Sequence, residues 1–237
     1  LQLVKEGPAF RRRYMDTLLC QIRPSYFHDL QVYNRALIQR NRMLQTRNTE
    51  AIDGFDVQLC DAGTRIAAAR AQLIGLLEPL CAREHAGLSG GEELKMEYRT
   101  GMDEMPVDAQ GYFSVLEKSL PSDLQRGFTT KGVHRDDLAL MIDQKDARRF
   151  ASQGQQRSAA LALRLAQCLA MEHIAKKRPV LLLDDVLSEL DPYRVKQLLS
   201  VLKHRQALLT CTAPIKAENM EQPFASFRVH NGSVTRA

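Results

Sequence analysis

From Ile52 to Leu80 the chain carries one apolar stripe: Ile52, Phe55, Leu59, Ala62, Ile66, Ala69, Leu73, Leu76 and Leu80 fall at alternating spacings of three and four. That spacing keeps the apolar side chains on one helix face, and about four heptads of it specify a long helix that must bury its seam against another element. The preceding segment supplies the partner. Residues 8 to 46 are predicted as one long helix, with Pro8 suited to a first turn and Tyr26, Leu30, Tyr33, Leu37 and Leu44 again at three/four spacing. The polar residues 47 to 50 separate the two. The expected unit is an antiparallel hairpin whose arms span on the order of 45 Å at 1.5 Å per residue. Two ordinary helices of a bundle satisfy the same pattern, and periodicity does not decide whether the hairpin projects.

Composition bounds the rest. With 44% hydrophobic and 26% charged residues in 237, the chain has the apolar content to form a core, which excludes wholesale disorder. Its five cysteines are odd in number, widely spaced and never in Cys-x-x-Cys, so reduced thiols in a cytoplasmic protein are expected rather than a disulfide framework or a zinc site. No apolar run reaches the ~18 residues of a membrane span, so no membrane partner is expected. The start, Leu1-Gln2-Leu3-Val4-Lys5, is neither a signal peptide nor an initiator methionine, and the chain is expected to be the interior of a longer protein. Lys and Arg outnumber Asp and Glu nine to four in residues 1 to 50 and seven to two from 192 to 237. Basic ends permit a nucleic-acid partner, and they equally fit solvated helix faces. Arg11, Arg12 and Arg13 are candidate phosphate-gripping or structural residues, although three consecutive helical residues point in three directions.

After Gly87, the expected helix stop, the elements shorten. Leu94 to Thr100 and Leu138 to Asp143 are predicted strands, with a short helix inside Pro106 to Leu120. A helix is then expected from about Ser158 to Ala175, followed by the apolar strand Val180 to Leu183, a helix from Pro192 to His204 and a strand from Ala207 to Thr212. The expected organisation is a helical arm lobe over residues 1–90, a mixed connection over 91–150 and an α/β part over 151–237. His28, His85, His173, His204 and His230 show no metal-ligand spacing and are expected at the surface.

Two features carry chemistry. Asp184-Asp185 closes the buried strand, where carboxylates are held rigidly at a sheet edge. Asp184 would hold Mg²⁺, directly or through water, and Asp185 would lie nearer a γ-phosphate and orient or deprotonate a water. A solvated turn at a strand end fits the same dipeptide. The second feature is Ser152-Gln153-Gly154-Gln155-Gln156-Arg157, 32 residues before Asp184. A hydroxyl, a glycine and free N–H groups opening a helix make an anion site suited to a terminal phosphate.

Together, Ser-x-Gly-Gln-Gln-Arg, a helix and Leu-Leu-Leu-Asp-Asp-Val-Leu-Ser-Glu-Leu-Asp resemble the signature motif, Walker B strand and D-loop of ABC-type ATPase heads. The segments Gly7-Pro8-Ala9-Phe10-Arg11-Arg12-Arg13-Tyr14-Met15-Asp16, Gly132-Val133-His134-Arg135-Asp136-Asp137 and Leu182 to Leu198 resemble the RecF family, of the SMC/Rad50-like branch. Val133 stands where that family usually has proline. The resemblance covers Gly7 to about Thr212 and implies an α/β fold, the C-terminal part of an ABC-type (P-loop NTPase) head with a helical hairpin arm lobe. It implies ATP and Mg²⁺ as cofactors of the full-length protein and an ATP-dependent homodimer. In that dimer Ser152, Gly154, Gln155 and Gln156 would bind nucleotide in trans, with Ser188 and Asp191 in the D-loop. It further implies DNA as partner at single-strand gaps and duplex junctions, RecR and RecO as protein partners, and help in loading the RecA recombinase. Asp185 stands where many ABC ATPases carry Glu, and its shorter reach implies slow turnover. His134 and Arg135 fit either a role near the nucleotide or a purely structural loop.

Leu88-Ser89-Gly90-Gly91-Glu92 resembles the common ABC signature still more closely, but a strand-like run follows it instead of a helix, so it is expected to be a plain loop. The chain contains no Gly-Lys dipeptide and hence no P-loop. In the resembled family that loop lies upstream, so this stretch alone is not expected to hydrolyse ATP. In that fold the upstream strands share the sheet with Val180 to Leu183. Another SMC-like ABC ATPase, or a non-catalytic helical interaction module, are the competing readings.

Overall fold

The computed structural model describes residues 2–176, 178–203, 205–213 and 224–236. The helical part comprises α1 (Gln2–Lys5), α2 (Pro8–Ile22), α3 (Pro24–Thr46) and α4 (Ile52–Ser89). The single helix expected over residues 8 to 46 is therefore two. Arg23 adopts φ −142° and ψ 91°, as a residue preceding proline is driven to do, and Pro24 then opens α3 at its first turn. α3 ends on Arg47 in the left-handed region (φ 54°). Partners along α3 and α4 run in opposite directions. Arg40 meets Asp56 at 2.5 Å, Tyr33 lies against Gly63, and Tyr26 meets Arg70 at 3.1 Å, so the two helices form the antiparallel hairpin. Gly63 is needed there, because a Cβ would stand 2.3 Å from Tyr112 Cε1.

α4 has 38 residues, about 57 Å at helical rise, and Gly87 lies within it. It continues past the expected stop because Gly87 has no reason to leave helical dihedrals. Gly90, at φ 84°, supplies the left-handed C-cap. Beyond it, β1 (Leu94–Arg99) pairs antiparallel with β2 (Asp137–Ile142), Leu94 opposite Ile142, and β2 pairs with the short β3 (Lys145–Asp146). α5 (Ala109–Arg126) connects them, and α6 (Ala147–Phe150) leads to α7 (Gln153–Ala175).

α4 packs most extensively on α3 and α7, and also on α5 and β1. From Ser158 to Ala166 every residue of α7 except Arg164 is buried, as expected of a helix covered on nearly all sides. Fully buried side chains such as Ile66 and Leu77 each stabilise the packing by roughly 1.5–3 kcal/mol. Finally β4 (Leu181–Leu183) pairs in parallel with β5 (Ala207–Leu209) across α8 (Pro192–Val201). Their outer residues Leu182 and Leu208 are 73% and 61% exposed. An antiparallel hairpin of β6 (Phe227–His230) and β7 (Ser233–Arg236), turning on Asn231-Gly232 with both φ positive, closes the described chain. No described helix is long and apolar enough to cross a membrane.

Candidate nucleotide site and its supporting network

α7 begins at Gln153, five residues earlier than periodicity suggests, because Ser-x-x-Gln forms a capping box. Ser152 Oγ accepts the Gln155 N–H at 3.2 Å, and Gln155 Oε1 accepts the Ser152 N–H at 2.9 Å. The glycine-centred motif is thus the first turn of the helix itself. Gln156 is buried, its Nε2 donating to the carbonyls of Ala151 (3.2 Å) and Ala147 (3.3 Å). Both glutamine side chains are therefore engaged within the chain, whereas Ser152 and Gln153 are exposed.

The two acids stand exposed at the carboxyl end of β4. Asp185 takes the left-handed conformation (φ 47°), and its N–H donates to Thr210 Oγ1 at 2.9 Å. Thr210 in turn donates its hydroxyl hydrogen to Asp184 Oδ1 at 2.6 Å. One hydroxyl beyond β5 therefore clamps both members of the pair. Past them, a 3₁₀ turn over Val186–Glu189 carries Ser188, whose Oγ donates to the Asp185 carbonyl at 2.8 Å. Asp191 caps α8 by accepting the Arg194 N–H at 3.0 Å, and the Arg194 guanidinium closes on its other oxygen. These two contacts hold the Asp191 carboxyl below the usual carboxylate range.

Arg194 also donates through Nε to Ser158 Oγ at 2.8 Å, and its Nη1 lies 3.4 Å from where a Cβ on Gly154 would stand. The helix after the 3₁₀ turn is thereby tied to the first turns of α7, and Gly154 is what allows the approach. Sequence reasoning missed both Arg194 and Thr210. Their roles depend on contacts across 36 and about 25 residues of chain, which no local spacing encodes.

The other motifs form a buried polar network among α2, α4 and the segment leading into β2. Arg11 makes a bidentate pair with Asp137 (2.7 and 2.8 Å), Arg12 donates to the Asp136 carbonyl at 2.8 Å, and Arg13 is exposed. Arg70, on α4, holds Asp136 at 2.7 Å, Asp16 at 2.8 Å and the Val133 carbonyl at 2.7 Å. Asp136 also accepts the Gly101 N–H at 2.7 Å and the Tyr98 hydroxyl. These arginines and aspartates thus lock α2, α4 and β2 together.

His134 belongs to the same framework. Its Nε2 donates to the Thr129 carbonyl at 3.0 Å, so Nδ1 accepts, and the Tyr33 hydroxyl donates to it at 2.7 Å. Tyr112 donates to Tyr33 and accepts the Val133 N–H, completing a directional chain. Gly132, at φ 138°, makes room for both hydroxyls, which would lie within 2.6 Å of a Cβ there. Burial, reinforced by Arg135 and Arg12, lowers the His134 pKa to about 4. The unfolded imidazole titrates near 6.5. Stability contributed by neutral His134 is therefore complete above pH 6.5 and is lost as pH falls from 6.5 to about 4, on the order of 2–3 kcal/mol for this partly buried ring. Urea denaturation at pH 7.5 and 5.0 is expected to show this loss in the wild type and a smaller one in His134→Gln. Equal losses would show that His134 does not titrate in this way.

His28, His173 and His230 are exposed as expected, and His204 lies outside the described residues. His85 is not at the surface. It is fully buried on α4, facing Glu92, because the C-terminal end of that helix runs beneath the turn that follows it. Among the described residues no group of three or more His, Cys, Asp or Glu forms a metal cluster.

This combination of a long helical hairpin, a capped signature helix and paired acids at the end of a parallel strand defines an α/β protein of the ABC-type ATPase head class. The Smc head domain with an extended coiled coil from Pyrococcus furiosus matches over 100% of the chain and 58% of its own, at TM-score 0.52 and 13% identity, a likeness of fold. The chain belongs to the RecF family of DNA replication and repair proteins. It is 38% identical over 251 residues to the RecF of Bacillus subtilis, covering 100% of this chain and 68% of the relative. It is 41% identical over 227 residues to that of Nostoc punctiforme, covering 90% and 60%. Two solved structures of the recombination mediator protein RecF in the RecFOR pathway match as well. One, RecF-ATP, has TM-score 0.83 and 32% identity over 100% of this chain and 65% of its own. The other, RecF-ATPrS, has TM-score 0.82 and 33% identity over 99% and 65%. The chain thus spans 60% to 68% of the length of these relatives. No family model matches it.

Proposed function

We propose that this chain is the signature and Walker B part of an ATP-dependent, DNA-binding dimer that acts in recombinational repair and replication restart. Residues 1–90 serve as its arm lobe, 91–150 as the connection and 151–237 as the ATPase part. The observation that carries the reading is the Thr210 clamp. It holds Asp184 and Asp185 side by side at the carboxyl end of β4, where an α/β sheet presents residues to a phosphate ligand.

With one oxygen of Asp184 bound to Thr210, the other is left for Mg²⁺, an ion satisfied by one or two carboxylates, phosphate oxygens and water. Asp185 orients or deprotonates the attacking water. Ser152 accepts a helical N–H and keeps its own hydroxyl hydrogen for a phosphate oxygen, beside the N–H groups of Gln153 and Gly154 in the positive first turn of α7. Gln155 and Gln156 serve the nucleotide by holding that turn. The phosphate read there belongs to the ATP of a second copy, so binding closes a head-to-tail dimer and hydrolysis reopens it, with Ser188 and Asp191 at the D-loop contact. The exposed faces of Leu182 and Leu208 fit a sheet that continues in the whole protein.

By family membership the protein would act with RecO and RecR at single-strand gaps and duplex junctions and help load RecA. In the full-length protein Asp185→Asn is expected to bind ATP and dimerise, while hydrolysis falls by about 10²-fold or more, the usual contribution of a general base. Hydrolysis within twofold of wild type in a phosphate-release assay would remove Asp185 from the chemistry.

A further inference from the structure

The loop expected after α4, Leu88-Ser89-Gly90-Gly91-Glu92, is not a plain connection. Gly90 ends the helix, Ser89 Oγ accepts the Glu92 N–H at 3.1 Å, and the tightened turn directs Glu92 at the first turn of α7. There Glu92 Oε1 accepts from Gln155 Nε2 at 3.0 Å, across 63 residues of chain. Gln155 Oε1 is already committed to the Ser152 N–H, so the side chain is held at both ends.

Behind Glu92 stands His85, fully buried one turn before the end of α4. Its Nδ1 lies 3.2 Å from the Glu92 carbonyl, which can only accept, so Nδ1 carries the hydrogen. Burial lowers the pKa of this imidazole and keeps it neutral. The 3.9 Å approach of His85 Nε2 to Glu92 Oε2 is therefore a meeting of two buried lone pairs with no hydrogen-bond partner among the described residues, rather than an ion pair. An arrangement that leaves two buried acceptors unsatisfied is costly to keep for packing alone.

We infer that Glu92 is a positioning residue that couples the end of the arm helix α4 to the phosphate-reading turn at Ser152, acting through the Gln155 side chain. A shift of the α4 terminus moves Glu92, releases Gln155 Nε2 and loosens the capping box that presents Ser152 and the first N–H groups of α7. This inference rests on the reading of that turn as the trans phosphate site, and it makes the turn's readiness depend on the arm.

The test uses the full-length protein, with dimerisation followed by light scattering against ATP concentration and amide hydrogen exchange followed over residues 152–156. Glu92→Ala is expected to raise the ATP concentration for half-dimerisation about tenfold, the loss of one charge-assisted hydrogen bond, and to speed exchange in that segment, with monomer ATP affinity within twofold. Glu92→Gln keeps a carbonyl for Gln155 and turns an amide N–H toward His85 Nε2, so it is expected to restore both readouts. Gln155→Glu keeps an oxygen for the Ser152 N–H but loses the donor to Glu92, so it breaks the relay from the other end without touching α4, and it decides the matter if Glu92→Ala fails to fold. Wild-type dimerisation and exchange in Glu92→Ala and Gln155→Glu, or a Glu92→Gln protein as impaired as Glu92→Ala, would overturn the coupling. If the wild type itself shows no ATP-driven dimer, the functional reading of the turn fails instead, and the exchange rates still decide whether Glu92 holds it.

Discussion

Replacing Ser152 with arginine in the full-length protein is expected to abolish ATP-driven dimerisation while the ATP affinity of the monomer stays within about twofold. Ser152 is exposed at the N-cap of α7 and contributes to folding through one capping bond, worth about 1 kcal/mol. The Gln156 and Gly154 contacts that fix the turn lie on its inner side and are untouched. The substitution therefore acts at the surface the turn presents. A long cation there occupies the space a phosphate needs and removes the hydroxyl donor, and it stands beside the positive end of a helix, where another positive charge is unfavourable. On the proposed reading the affected phosphate belongs to the opposite head, so nucleotide capture by each monomer is expected to proceed while closure fails. Light scattering with ATP, alongside fluorescence titration of nucleotide, separates the two. A Ser152→Arg protein that dimerises like wild type would sink the assignment of this turn as the trans site.

The second large effect is on stability. Arg70→Met is expected to destabilise the fold by about 3–5 kcal/mol, because it removes a buried cation from between Asp16 and Asp136 and leaves Asp136 charged and buried. The Tyr98 hydroxyl and the Gly101 N–H remain on that carboxylate, which places the expected value toward the lower end. Arg65→Met is the matched control, since its pair with Asp29 at 2.8 Å is largely exposed on the arginine side and is expected to contribute under about 1 kcal/mol. Urea midpoints at neutral pH measure both. Equal midpoint shifts would show that this buried network gives no more than a surface ion pair.

These two predictions draw on different kinds of information. The turn at Ser152 was legible in the sequence as the opening of a helix because a hydroxyl, a glycine and a following helix lie within six residues, and helix-end chemistry is local. The acids of β4 were legible for the same reason, a short apolar run ending in Asp184-Asp185. What the Arg11-Arg12-Arg13 run and the Gly132 to Asp137 segment do was not. Each was visible as a motif, but their purpose lies in contacts such as Arg11 with Asp137, 126 residues apart, and Arg70 with Asp136, 66 residues apart. Arg12, a candidate phosphate-gripping or structural residue by sequence, is half-buried and spent on a backbone carbonyl.

The sequence by itself determined the long α4 seam, the order of the main strands and helices from Leu94 to Leu209, although not β3, α6 or the β6–β7 hairpin, and the chemical character of the two phosphate-site candidates, since each follows from periodicity or from side-chain to backbone bonding within one turn. The break at Arg23-Pro24 is a local effect of proline that periodicity overlooks; only the tertiary structure decided that His85 is buried, that Thr210 clamps the two acids, and that the turn resembling an ABC signature reaches the turn assigned that role through Glu92. The physical reason is common to the last three. Burial and pairing at those positions are set by which surfaces meet when α4, α7 and β4 pack, and hydrogen bonds between residues 25 to 63 apart leave no trace in local spacing.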